Sequence, residues 1–210
     1  ADGDADRPLI ADETGEVIRG DALGLLVARL LEADVAVTPV TSNSGIERHL
    51  RAQVLRTRVG SPFVIAGMQS AAKEGAGKII GFEANGGVLT ASSFVLGTAQ
   101  LAPLPTRDCV LPLLCALAAS CASNSKLSAV VAELALPVAI SGRIEDFPSE
   151  KGRDLVASLT ADGSSRDRFL EPIGTLDSVD TTDGLRMTLA DGRILHLRPS
   201  GTAPEMRGDA

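Results

Sequence analysis

Tryptophan and tyrosine are absent from the 210 residues, and five phenylalanines are the only aromatics. Stacking platforms for single-stranded nucleic acid and aromatic cages are therefore not expected. Positive charge is also scarce: 20 Lys and Arg stand against 27 Asp and Glu, for a net charge of −7. A protein built to grip a phosphate backbone has the opposite balance, so no nucleic acid partner is expected. The three cysteines, Cys109, Cys115 and Cys121, recur at six-residue spacing. That places them roughly 240° apart on a helix, with no common face. They form neither a CxxC metal motif nor a disulfide framework, and read as small core side chains in a reducing compartment. The longest strongly apolar run, Cys109 to Ala122, is 14 residues and contains Pro112. A bilayer-spanning helix needs about 20. No secretory signal opens the chain, so no membrane partner is expected and the cytoplasm is the expected location. The first residue is Ala rather than Met, and the chain is expected to be part of a longer protein.

Hydrophobic residues make up 44%, enough to build a core without disulfides. Pro8 to Ile18 reads as a β-hairpin around Glu13-Thr14-Gly15. Asp21 then precedes ALGLLVARLLEA, a helix with Asp21 as its expected N-cap. Val35 to Thr38 reads as a buried strand and Thr41 to Gly45 as a polar loop. Ile46 to Leu55 is predicted helical, with His49 on its polar face. Pro62 to Ala72 is a second helix, Lys78 to Phe82 a buried strand, and Thr106 to Cys121 the most apolar helix. After about residue 137 the texture changes: Val138 to Ile144 reads as strand, Glu150 to Leu159 as helix, and Gly184 to Arg198 as a hairpin turning at Asp191-Gly192. The expected fold class is α/β: a mixed, mostly parallel sheet flanked by helices, then a smaller α+β domain with an antiparallel sheet. His196, inside a strand, reads as structural.

Three loops carry chemistry. In Asp2-Gly3-Asp4-Ala5-Asp6-Arg7, carboxylates at alternate positions can turn inward and offer hard oxygens to a divalent cation. Arg7 follows with a planar cation suited to phosphate. A solvated acidic loop is the plain alternative. An EF-hand is disfavoured, because Arg7 stands where that loop needs its sixth-position Gly. In Gly81-Phe82-Glu83-Ala84-Asn85-Gly86-Gly87, at the end of a strand, Glu83 can accept from two neighbouring hydroxyls and Asn85 can both donate and accept. A glycine-rich turn with an incidental Glu is the alternative. In Leu197-Arg198-Pro199-Ser200-Gly201-Thr202-Ala203-Pro204-Glu205, a guanidinium, two hydroxyls and backbone N–H groups can cradle a phosphate monoester, or merely form a turn.

In this order the three loops resemble the α-D-phosphohexomutase superfamily, in its phosphomannomutase/phosphoglucomutase branch. DGDADR is similar to its metal loop, GFEANGG to its sugar loop and RPSGTAP to its phosphate loop. TPVTSNSGIE, RTRVGSPFVIAGM, LAPLPTRD and EDFPSEKG resemble further family segments. The resemblance implies the end of domain 2 over residues 1–16, domain 3 over 17–137 and domain 4 over 138–210. It implies a Mg2+-dependent interconversion of hexose 6-phosphate and hexose 1-phosphate through an enzyme phosphoserine and a bisphosphorylated sugar. Asp2, Asp4 and Asp6 would hold Mg2+, and Arg7 would be catalytic, stabilising phosphoryl oxygens. Glu83 and Asn85 would bind sugar hydroxyls, and Arg198, Ser200, Gly201 and Thr202 the phosphate that is not reacting. The serine loop of domain 1 has no match here, so the chain alone is expected to be inactive and to need its N-terminal domains as partner. Asn85 and Gly87 replace a Ser and a His common in the sugar loop, Ala203 replaces a Glu, and Ser61, beside Arg58, replaces a His. The sugar loop as written looks most like phosphomannomutases, so the expected ligand is a hexose phosphate, mannose phosphate ahead of glucose phosphate. A phosphoglucosamine mutase, or a non-catalytic metal- and phosphosugar-binding module, is the alternative.

Overall fold

The computed structural model describes residues 1–201 and 203–210. They form two compact units, Ala1–Pro137 and Val138–Ala210. Thr202, the last residue expected to bind phosphate, lies outside the described residues.

In the first unit the entry segment closes on one isolated bridge, Ala11 with Val17, and Gly15 takes φ +89° at its turn. The hairpin is therefore narrower than the alternation predicts. Helix α1 (Gly20–Leu30) follows, buried from Gly20 through Ala28. Asp21 is not its cap. It lies inside the first turn, and Arg19 holds the N-cap position. Strand β1 (Val35–Pro39), one-turn helix α2 (Ile46–His49), strand β2 (Gln53–Thr57), helix α3 (Ser61–Lys73) and strands β3 (Ile79–Phe82) and β4 (Val88–Thr90) come next. The hairpin of β5 (Phe94–Leu96) and β6 (Ala99–Leu101) precedes β7 (Leu104–Asp108), α4 (Val110–Ser123) and α5 (Leu127–Ala132).

The main sheet runs β2-β1-β3-β4-β7. β1 pairs in parallel with β2 and β3, and β4 pairs antiparallel with β3 and β7, so four strands point one way and β4 the other. β1 and β3 are buried along their whole length, as strands covered on both faces must be. The two-residue side-chain period divides them: Ala36, Ile80 and Phe82 join α1 and α4, whereas Val35, Val37 and Ile79 join Val64 and Met68 of α3. Gly24 of α1 lets the Phe82 ring approach, since a Cβ there would stand 2.3 Å from Phe82 Cγ.

Two predicted helices start or stop elsewhere. Residues 46–55 give only α2, because Gln53 to Thr57 pair in register with β1. Arg56 fixes that extended path, donating to the carbonyls of Pro39, Ser42 and Asn43 and to Glu47. The helix predicted from Thr106 begins at Val110, because 104–108 pair with β4 and Asp108 accepts from the N–H of Val110 at 2.7 Å. Of the cysteines only Cys115 is a core residue; Cys109 is half-buried and Cys121 exposed. Burial, with Asp108 nearby, pushes the Cys115 thiol up to about 11. The opposite face of α4 exposes Val110, Leu113, Leu114 and Leu117. His49 is half-buried.

The second unit is one antiparallel sheet, β8-β12-β11-β10-β9, with β8 (Ser141–Ile144), β9 (Leu176–Asp180), β10 (Leu185–Leu189), β11 (Ile194–Pro199) and β12 (Met206–Asp209). Helices α6 (Ser149–Ala161) and α7 (Gly163–Leu170) join β8 to β9. Leu159, Leu170, Leu185, Met187 and Leu189 form its core. Alternating burial along β10 and the Asp191-Gly192 turn match the hairpin expected from the sequence. β8 starts three residues later than the strand expected from Val138, its ladder with β12 beginning at Ser141 opposite Asp209. Among the described residues no helix is long and apolar enough to cross a membrane.

Candidate functional site

The acidic loop folds back on itself. Asp2 N–H donates to the Arg7 carbonyl, Ala5 N–H to the Asp2 carbonyl, and Arg7 N–H to Asp2 Oδ1 at 3.2 Å. Ala5 takes φ +58° to make the turn. Asp2, Asp4 and Asp6 each present one oxygen, and all three lie within 4.8 Å of one another. Arg7 pairs with Asp2, with Asp6 at 3.4 Å and with Asp4 at 3.9 Å. Desolvation pulls the Asp2 carboxyl up, but the backbone N–H and guanidinium of Arg7 outweigh it and hold the group below its ordinary value. Asp2 Oδ2 and Asp6 Oδ1 are shielded from solvent yet accept no regular hydrogen bond among the described residues. Three hard carboxylate oxygens this close, on half-buried Asp2 and Asp6 and exposed Asp4, are a donor set that a divalent cation accepts in place of Arg7, so the loop fits one.

The sugar-type loop leaves the end of β3. Glu83 N–H donates to Gly87, Gly86 N–H to Glu83, and Gly87 N–H to Asn85 Oδ1 at 3.0 Å. Asn85 is exposed, whereas Glu83 is 5% exposed. Burial lifts the Glu83 carboxyl above its ordinary range, against the opposing pull of Arg107, Asn85 and Arg7. Gly86 takes φ +96° and packs on Pro8, where a Cβ would come within 3.1 Å. A Cβ on Gly20 would stand 2.0 Å from Gly86 N, so the start of α1 abuts this loop.

Arg107 of β7 joins the two loops. Its Nε lies 2.8 Å from Asp6 Oδ2 and its Nη1 3.9 Å from Glu83 Oε2. Sequence reasoning missed it, because the apolar run after it drew residues 106–109 into a helix. The available signal was a basic residue beside Asp108, just ahead of that run.

In the second unit, β11 delivers Arg198, Ser200 and Gly201 to one loop. Ser200 is buried, donates its N–H to the Glu205 carbonyl at 2.9 Å, and accepts at Oγ from Ala203 N–H at 3.3 Å. Its hydroxyl braces the loop. Arg198 Nε faces Asp183 at 3.7 Å. Gly201 is exposed, with open space where a Cβ would be. Glu205, the last residue of this loop, pairs with Arg143 at 3.7 Å and Arg207 at 3.5 Å. His196 is buried in the sheet between the Asp183 carbonyl and Asp209. Burial raises the Asp209 carboxyl, but hydrogen bonds from His196 and Ser141 and the nearby Arg198 hold it low overall.

A family model for phosphoglucomutase/phosphomannomutase, α/β/α domain III, matches residues 19–137, more than half of the chain. The chain belongs to the phosphoglucomutase/phosphomannomutase family. A phosphomannomutase of Sinorhizobium fredii is 53% identical over 207 residues, covering 99% of this chain and 44% of that protein. A solved phosphoglucomutase/phosphomannomutase family protein from Burkholderia thailandensis shares the fold at TM-score 0.67 and 23% identity, over 99% of this chain and 41% of its own. The N-acetylphosphoglucosamine mutase of Aspergillus fumigatus, solved with GlcNAc-6P and magnesium, matches at TM-score 0.59 and 15% identity, over 99% of this chain and 43% of its own. The chain spans less than half the length of the curated relatives it matches.

Proposed function

We propose that this chain belongs to a phosphomannomutase that interconverts mannose 6-phosphate and mannose 1-phosphate. Residues 1–16 close a preceding domain, 17–137 are the sugar-recognising domain and 138–210 the phosphate-anchoring domain. Glu83 and the exposed Asn85 bind ring hydroxyls. Arg198, Ser200, Gly201 and Thr202 take the phosphate at rest. Asp2, Asp4 and Asp6 hold Mg2+, which when bound offsets negative charge on the transferring phosphoryl oxygens. Arg7, whose guanidinium pairs with the same three aspartates, would stabilise those oxygens once the ion takes up the carboxylates. Holding the sugar by its hydroxyls and its idle phosphate leaves the other phosphate placed for transfer, which is catalysis by positioning. The phosphoserine donor comes from a domain without counterpart in this sequence. One observation carries this reading: the buried Glu83 carboxylate lies in the same chain of ion pairs as the cation-fitting Asp6.

The test is turnover of the protein carrying its N-terminal domains, assayed with mannose, glucose and glucosamine phosphates. Conversion of the mannose pair is expected, with Glu83→Gln lowering kcat/KM roughly 100-fold; the 210-residue chain alone is expected to give none. Preference for glucosamine phosphate would move the assignment to that mutase, and indifference to every hexose phosphate would leave only a binding module.

A further inference from the structure

The proposed chemistry gives Arg107 no task, yet it stands where both loops of the first unit meet. It sits near the end of β7, where Asp108 pairs with Val88 just after the sugar-type loop. Its stem lies over Gly87, where an added Cβ would stand 2.5 Å from Arg107 Cδ. The side chain is 26% exposed, which lessens screening by water. Its two carboxylate contacts are unequal: 2.8 Å to Asp6 and 3.9 Å to Glu83.

We propose that Arg107 is a positioning residue that couples cation binding at Asp2, Asp4 and Asp6 to hydroxyl binding at Glu83. The inference rests on the mutase reading above and deepens it. A guanidinium carries its donors in a rigid fork and can serve two carboxylates together. A divalent cation among the three aspartates takes up the charge of Asp6 and weakens its hold on Nε. Glu83 is then the main counter-charge left to the guanidinium. Its Oε2, buried without a regular hydrogen bond, gains a firm partner, and the carboxylate is held in one orientation to accept hydroxyls. Such linkage is reciprocal, so a sugar that fixes Glu83 tightens the cation by the same factor.

The experiment is calorimetric titration of this chain with Mn2+, alone and with saturating mannose 1-phosphate. Wild type is compared with Arg107→Lys, Arg107→Met and Glu83→Gln, with far-UV circular dichroism confirming the fold of each. In wild type the sugar phosphate is expected to tighten Mn2+ about 5-fold or more. That ratio falls to about one in Arg107→Met, and also in Arg107→Lys, which keeps a charge beside Asp6 but loses the fork. Glu83→Gln removes it as well. A ratio that persists in the Arg107 variants means that phosphate contacts the ion directly, and overturns the proposal while the mutase reading stands. A wild-type chain whose Mn2+ affinity the sugar phosphate leaves unchanged also overturns the proposal, whereas a protein carrying its N-terminal domains that binds no hexose phosphate brings down both.

Discussion

Asp21 is fully buried, and its carboxylate accepts from the N–H groups of Ala22 at 3.0 Å and Asn43 at 2.9 Å and from Arg19 at 3.1 Å. Asn43 N–H is itself buried, so Asp21→Ala strands a donor and is expected to cost about 2–3 kcal/mol. Urea unfolding followed by far-UV circular dichroism measures it. Glu83 makes the opposite case. Its raised pKa means that the folded chain holds this proton more tightly than the unfolded one. Its support for folding is therefore complete below the ordinary carboxylate pKa and is lost as pH rises through the raised value. Glu83→Gln should match wild type in acid and be the more stable of the two at neutral pH. Equal urea midpoints at both pH values would refute that. A carboxylate kept where it weakens the fold is typical of a residue retained for binding.

Among the secondary-structure elements, α1, α3, β1, β3, α6 and the 185–199 hairpin are legible in the sequence, because local pattern and tertiary demand coincide there. β2 and β7 are not. Each is a strand whose existence depends on a partner elsewhere in the chain: Arg56 fixes β2 by bonds to the carbonyls of Pro39, Ser42 and Asn43, and β7 is set by its pairing with β4, both beyond a short window. The acidic and sugar-type loops are readable as separate motifs for the same reason that their junction is not: Arg107 works through space. Helix α1 has a further role, since its first residue supports the sugar-type loop. Gly20→Ala would press a methyl group on Gly86 N and the Ala84 carbonyl, at 2.0 and 2.6 Å, and backbone cannot rotate aside. A loss of about 1–3 kcal/mol is expected, with weaker mannose 1-phosphate binding by calorimetry; unchanged affinity would show that the loop tolerates displacement.

Taken as a whole molecule, the chain closes each unit with its own side chains. Leu159, Leu170, Leu185, Met187 and Leu189 all belong to 138–210, so that segment expressed alone is expected to unfold in one cooperative urea transition. Its small core leaves little reserve. Met187→Ala, at a site with no exposure, should cost about 2–5 kcal/mol and abolish the transition; a surviving sigmoid with an unchanged midpoint would contradict this. The texture change near residue 137 makes the division legible, whereas β9, β12 and the bracing role of Ser200 depend on pairings across the sheet and are not. The crowding around residues 83–87 also limits how this protein can diversify. Pro8, Arg107 and α1 occupy the space beside both glycines, and Glu83 is enclosed. Random mutagenesis aimed at new ligands therefore has two open doors there, Ala84 and Asn85, and a directed-evolution library should begin with that pair.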